Sequence, residues 1–325
     1  MNVLVVGGAG YIGSHMVTKL LDGGHDVVTF DDLSSGFRDA ILGGGFVQGS
    51  LGDRTTLEEL FRANRFDAVM HFASFIQVGE SVRNPSVYYR NNLSNTLNLL
   101  DAMVAARVGR FIFSSTAAIF GEPAYVPIDE RHPQKPINPY GASKQMVERA
   151  LQDYDRAYGL RSVCLRYFNA AGATATHGED RPEETHLIPL ALDAASGKRE
   201  ALEVFGTDYP TPDGTCVRDY VHAADIARAH LAALDRIDEI GFDCFNVGSE
   251  SGYSVLEVIR ATEAVIKRRV PHVVSRRRAG DPAVLVATSS KLGRALHWRP
   301  QQSSLDTIVA TAWEWRTRFP DGYAS

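Results

Sequence analysis

Cysteine is scarce: Cys164, Cys216 and Cys244 are the only three in 325 residues. An odd number with no close pair excludes a disulfide scaffold and a four-ligand zinc site, and no other metal site is expected. The three read as reduced thiols packing as small apolar groups. Excess positive charge is also missing. Lys plus Arg number 34 against 39 Asp plus Glu, a net charge of −5, so the basic face that general nucleic-acid binding needs is not there. No apolar run is long enough to span a bilayer. Residues 1–6 carry no basic head and lead straight into glycine, unlike a secretory signal. These absences predict a cytoplasmic protein with neither a membrane nor a nucleic-acid partner. What remains is ordinary globular material, 44% hydrophobic and 22% charged, which excludes disordered and collagenous chains. The length suits two lobes or one large α/β domain.

Residues 3–6 form a short β-branched run that enters Gly7-Gly8-Ala9-Gly10-Tyr11-Ile12-Gly13. Met16, Val17, Leu20 and Leu21 then recur at helical spacing up to Gly23-Gly24. Further buried strands are expected at 27–30, 46–47, 68–72, 111–113 and 162–165, with helices near 55–62, 87–106 and 143–157. Their apolar runs on both faces suit a parallel sheet covered by helices. Alternating strand and helix predicts a Rossmann-type doubly wound α/β sheet with right-handed crossovers. After Phe168 the texture changes to Gly, Thr, Glu, Pro and His, and a smaller, mixed C-terminal lobe is expected. Residues 225–234 read as a helix and 242–247 as a strand returning to the first sheet. Later helices are signalled by the capping pair Ser254 and Glu257 and by 305–316. The expected division is a dinucleotide-binding domain of 1–168 rejoined by about 223–247, and a substrate lobe of 169–222 and 248–325.

Gly7, Gly10 and Gly13, three apart between the first strand and first helix, let the backbone turn tightly and a pyrophosphate approach a helix N-terminus. Asp31 closes the second strand, where a carboxylate can accept from both ribose hydroxyls and repel a 2′-phosphate. That favours NAD over NADP as cofactor. Tyr140-Gly-Ala-Ser-Lys144 places a phenol and an ammonium one helical turn apart. The phenol is a poor base near its ordinary pKa of ~10, and the neighbouring ammonium together with the positive nicotinamide ring is expected to draw it towards working range. Ser114-Ser115-Thr116 follows the strand 111–113, at the end of a sheet where such folds place their ligand crevice.

With these motifs in hand, the sequence resembles the extended short-chain dehydrogenase/reductase superfamily and, within it, the UDP-glucose 4-epimerase family. The likeness runs from Val3 to the C-terminus. It includes Val78-Gly-Glu-Ser, Tyr88-Tyr with Asn91-Asn92, Arg166-Tyr-Phe-Asn169 and Val217-Arg-Asp-Tyr-Val-His222. The resemblance implies NAD lying across Tyr11, Ile12, Asp31, Asp32, Leu51, Phe72, Ala73 and Asn91, with Lys144 and Phe168 near the nicotinamide. It implies a UDP-hexose held by Asn169, Leu187, Phe205, Arg218, Tyr220, Arg278 and Asp281, and a catalytic set of Tyr140, Lys144 and Thr116. The implied reaction oxidises the sugar at C4 to a ketone, turns it over and reduces it on the other face, interconverting UDP-galactose and UDP-glucose. A homodimer is the family expectation, through helices around 93–100 and 146–154.

The departures are specific. Thr116 stands where many epimerases have Ser, and Ala118 replaces a hydroxyl residue. Ser50 and Ile76 stand where an Asp and a Lys contact the cofactor, which implies a weaker hold on NAD. His186 stands at an Asn position, and Leu285 where a bulky Tyr limits room for an N-acetyl group, leaving UDP-GlcNAc and UDP-GalNAc open as substrates. Two rivals remain. A nucleotide-sugar 4,6-dehydratase needs an acidic acid/base pair where this chain has Ala117 and Ala118. A non-catalytic dinucleotide sensor would have no need of an intact Tyr140, Lys144 and Thr116.

Overall fold

Alternation within the first strand sets up two cores. The computed structural model of the chain describes residues 1–278 and 281–323. In β1 (Asn2–Val6), Val3 and Val5 enter one hydrophobic cluster while Leu4 and Val6 enter the other, because successive strand residues point to opposite faces. The chain continues through α1 (Tyr11–Asp22), β2 (Asp26–Asp31), β3 (Gly45–Gln48), α2 (Arg54–Ala63) and β4 (Ala68–His71). Two short helices, α3 (Val78–Arg83) and α4 (Pro85–Tyr88), lead through a π-helical turn at Tyr89–Ser94 into α5 (Asn95–Ala105). Then come β5 (Arg110–Thr116), α6 (Pro139–Tyr158) and β6 (Arg161–Tyr167).

Beyond this point the order is mixed. β7 (Asn169–Ala171), α7 (Leu187–Ser196), β8 (Leu202–Phe205) and β9 (Val217–His222) precede α8 (Ala223–Ile240) and β10 (Phe242–Val247). The remainder is β11 (Gly252–Ser254), α9 (Val255–Ile266), β12 (His272–Ser275), β13 (Val284–Leu285), α10 (Ser290–Leu296) and α11 (Leu305–Arg318).

Seven strands form one sheet in the order β10-β6-β5-β4-β1-β2-β3, every neighbouring pair parallel. The cluster on one face takes Leu20 of α1 and Ile226 and Ala233 of α8. The cluster on the other takes Leu57 of α2, Leu99 of α5 and Val147 of α6. Strand order reverses between β1 and β4, and a crevice opens beyond the carboxyl ends of the strands at such a switch point. A smaller sheet places β11, β9 and β13 side by side with β7 joined to β9, while β8 and β12 pair separately. It stands over that crevice.

Two helices differ from the periodicity reading in ways that matter for the site. The expected helix at 87–106 is interrupted by the π-helical turn, where Asn92 turns its amide onto the backbone of Phe75. Asn92 Oδ1 accepts the Phe75 N–H and Nδ2 donates to the Phe75 carbonyl, both at 2.9 Å. The helix expected at 143–157 starts earlier. Pro139 occupies the first position and Asn138 accepts the Gly141 N–H at 2.8 Å, a proline start with a side-chain cap. Tyr140 therefore sits in the first turn of α6.

Candidate active site

The glycine turn is built by close approach. Gly7 has φ +78°, and a Cβ there would lie 2.4 Å from the Ala73 backbone nitrogen; at Gly13 it would lie 2.1 Å from the Gly7 carbonyl oxygen. The exits of β1 and β4 thus touch, and α1 packs directly on the turn. Gly10 differs, with the Gly7 oxygen at 3.4 Å as its nearest neighbour. It precedes α1 with no side chain capping the helix's first N–H groups. Bare backbone, free N–H groups and a helix dipole make a cradle that fits a pyrophosphate.

Asp31 is buried at the end of β2, its Oδ2 accepting the Ala9 N–H and its Oδ1 the Leu33 N–H, each at 2.9 Å. Burial pushes its carboxyl above the usual range against these two hydrogen bonds. Around the turn runs a cavity of about 1010 Å³, also lined by Tyr11, Ile12, Asp32, Leu51, Phe72, Ala73, Asn91 and Phe168. This is at the upper end of small-molecule pockets, about 300–1,000 Å³. Ser50 and Ile76 line it too, a hydroxyl and an aliphatic chain where charged groups would strengthen the hold on a dinucleotide.

Tyr140, Lys144 and Thr116 reach the same cavity from α6 and the end of β5. Lys144 Nζ donates to Ser74 Oγ at 2.5 Å and to the Ser114 carbonyl at 2.8 Å, and lies 4.7 Å from the centre of the Phe113 ring. Burial lowers its ammonium to about 7, opposed chiefly by the Glu148 carboxylate. The expected effect of this ammonium on the phenol needs correcting. Burial raises the Tyr140 hydroxyl above its ordinary value, and the groups that lower it are the Thr116 hydroxyl and the Arg181 guanidinium. Lys144 spends its charge on Ser74 and Ser114. Sequence reasoning missed both Ser74 and Arg181. Ser74 follows the carboxyl end of β4, so the rule that singled out Ser114 to Thr116 could have found it; Arg181 sits in an irregular stretch with no such signal.

The other end of the cavity is set by the parity of β9. Arg218 and Tyr220 line it, while Asp219 between them is fully buried on the opposite side. Asp219 accepts from the N–H and hydroxyl of Ser249 and from the N–H groups of Glu250 and Ala287. Arg218 is ion-paired with Asp281. Arg278 lies over the Phe205 ring, 3.9 Å from its centre. Asn169 donates to the Asp219 carbonyl at 3.1 Å, and Leu187 opens α7 at the cavity wall. Glu179 accepts from Arg181 Nε at 2.9 Å and from His186 Nδ1 at 2.5 Å. Burial alone would raise the Glu179 carboxyl, but the His186 and Arg181 charges overcome it and hold it well below the carboxylate range. The Glu179 charge in turn raises His186. Leu285 of β13, Ala117 and Ala118 complete the lining.

Comparison with known proteins gives a consistent picture. The family described as "NAD dependent epimerase/dehydratase family" matches residues 3–248. The chain is similar to the UDP-glucose 4-epimerase of Lacticaseibacillus casei, 45% identical over 99% of both chains. To that of Rhizobium meliloti it is 48% identical over 99% of this chain and 98% of the relative. Among solved structures, the UDP-glucose 4-epimerase from Brucella ovis in complex with NAD superposes with a TM-score of 0.94 at 46% identity, covering 96% of this chain and 97% of that one. The enzyme from Bifidobacterium longum in complex with NAD+ and UDP gives a TM-score of 0.93 at 37% identity over 99% and 100% of the two chains.

Proposed function

Because the chain belongs to the NAD dependent epimerase/dehydratase family, we propose that it is a UDP-sugar 4-epimerase interconverting UDP-galactose and UDP-glucose. The observation that carries this reading is the meeting of Tyr140, Lys144 and Thr116 in one cavity, with the glycine turn at one end and Arg218, Phe205 and Arg278 at the other. When bound, NAD supplies a reversible hydride acceptor for the sugar C4, so that a 4-keto sugar forms and the coenzyme is unchanged at the end. Tyr140 takes the proton of the C4 hydroxyl and returns it after the sugar has turned over. Thr116 hydrogen-bonds the same oxygen, and Lys144 orients the site through Ser74 and Ser114. Arg218 and Arg278 suit the diphosphate oxygens, and Phe205 offers a face for the uracil. Binding energy then sits in the UDP moiety, which stays put, and the hexose is held loosely enough to present either face.

Elimination chemistry would need a carboxylate beside the C5 proton. The cavity wall there is Ala117 and Ala118, which disfavours a 4,6-dehydratase. Purified protein given UDP-galactose without added reductant should form UDP-glucose, read by anion-exchange chromatography. Accumulation of a 4-keto-6-deoxy sugar would select the dehydratase, and binding without turnover the dinucleotide sensor. For the sugar range we propose that Leu285 leaves room for UDP-GlcNAc and UDP-GalNAc, tested by kcat/KM on each against UDP-glucose.

The division of labour we propose is 1–168 with 223–247 for NAD, and 169–222 with 248–325 for the UDP-sugar, of which 279–280 and 324–325 lie outside the described residues. We further propose a cytoplasmic homodimer built on 93–100 and 146–154, where Met146 is 45% exposed. Sedimentation would show the dimer. Among the described residues no helix is long and apolar enough to cross a membrane.

A further inference from the structure

Behind Tyr140 and Lys144 lies a buried ion pair that the reaction described above does not use. Glu148, one turn beyond Lys144 on α6, and Arg166 on β6 have side chains 6% and 4% exposed. Arg166 Nε donates to Glu148 Oε1 at 3.0 Å and Nη2 to Oε2 at 2.7 Å, while the Ser115 hydroxyl donates to Oε1 at 2.6 Å. The Cys244 thiol reaches Oε2 at 3.7 Å. Arg166 Nη1 is left buried with no partner. Stability alone does not call for such a pair, because apolar residues of similar volume commonly serve as well or better. Its location suggests another use. On β5, Ser115 stands between Ser114, whose carbonyl takes the Lys144 ammonium, and Thr116, whose hydroxyl acts on Tyr140.

We propose that Glu148, clamped by Arg166 and Ser115, is a positioning residue for the epimerase reaction: it ties the end of β5 to α6 and sets a fixed negative charge one turn behind Lys144. The proposal rests on the roles given above to Tyr140, Lys144 and Thr116. The titratable groups that face Lys144 come from three elements, α6, β4 and β6. Burial drives the ammonium down, and the Glu148 carboxylate is the largest influence against it; the Cys164 thiol of β6, pushed well above its ordinary value by burial, stays neutral at working pH. His71 faces the ammonium from β4 and is kept neutral at working pH by burial and by Lys144 itself, its ring lowered to about 3. Cys244 of β10 and Arg166 lie on the far side of Glu148.

The test compares wild type with Glu148→Gln and with Glu148→Gln/Arg166→Met, which removes both charges and keeps the volume filled. The protein is labelled with ¹³C at the lysine ε carbons, Lys144 is assigned with Lys144→Met, and its titration is followed by NMR. The midpoint should fall in both variants, by about one pH unit or more in Glu148→Gln, where Arg166 remains without its carboxylate, and by less in the double variant. The alkaline limb of kcat should move with it while KM for the UDP-hexose stays unchanged. If Glu148→Gln does not fold, the double variant carries the comparison. Equal Lys144 midpoints in wild type and variants overturn the proposal even if activity drops, since the pair would then only hold the fold. A wild type that interconverts no UDP-hexose would instead remove the functional reading, and the NMR titration would still decide whether Glu148 controls Lys144.

Discussion

Burial pushes Tyr140 and Lys144 towards their neutral forms, the phenol upward and the ammonium downward. A proton can therefore move at this site with little charge left stranded. Replacing Tyr140 with Phe keeps the ring and removes the proton carrier. Turnover of UDP-galactose should fall by about 10²–10⁴, the usual worth of a placed acid–base group, while co-purified NAD, read by absorbance after denaturation, stays unchanged. Lys144 also leaves a mark on stability. Its folded value of about 7 lies below the 10.5 of an ordinary lysine, so across that window the folded form binds fewer protons and its stability rises with pH. The unfolding free energy of wild type minus that of Lys144→Met should climb by about 1.4 kcal/mol per pH unit above neutrality and flatten below it, as urea titrations at several pH values would show.

Secondary elements aim these residues, and the π-helical turn before α5 is the least expected of them. Asn92 there joins the Phe75 backbone to Ser143 Oγ, 3.2 Å away, one residue before Lys144. Asn92→Ala strips four hydrogen bonds, two with the half-buried Phe75 backbone, one from Asn91 Nδ2 and one to the buried Ser143 hydroxyl, and should cost about 1–3 kcal/mol in urea unfolding, with kcat reduced because Ser143 loses its tether. The seven parallel strands were legible from the chain because β-branched apolar runs between turns leave few alternatives. So were the glycine turn and the Tyr140–Lys144 spacing, both of which are local. The π-helical turn was not, since it depends on one amide reaching a loop 17 residues away. Arg181 was hidden for the same reason: its effect on Tyr140 exists only once the chain has folded back. The pull expected of Lys144 on the phenol failed because spacing cannot show that Ser74 and Ser114 take up the ammonium first.

At the scale of the whole molecule, the cavity joins two sets of residues that should respond separately to ligands. UDP at about a hundred times its dissociation constant should stabilise the protein by about 2.7 kcal/mol, visible as a rise in melting temperature. Arg218→Ala should lose most of the shift produced by UDP and keep that produced by NAD. A variant that loses both shifts, or only that of NAD, would place Arg218 elsewhere. The net charge of −5 also makes the arginines at the UDP end a local exception on an acidic chain.

The parity of β9 has a consequence for how this protein can change over time. Arg218 and Tyr220 look one way and Asp219 the other, so the strand works like a ratchet with two settings. Losing or gaining a single codon here would turn the carboxylate that anchors two backbone segments, at 249–250 and at 287, outward into the nucleotide's path, and turn the arginine into the interior. A point change along this strand alters one position, whereas a one-residue insertion or deletion reverses the facing of every side chain beyond it. Relatives that diverge in length should do so in the loops on either side of it.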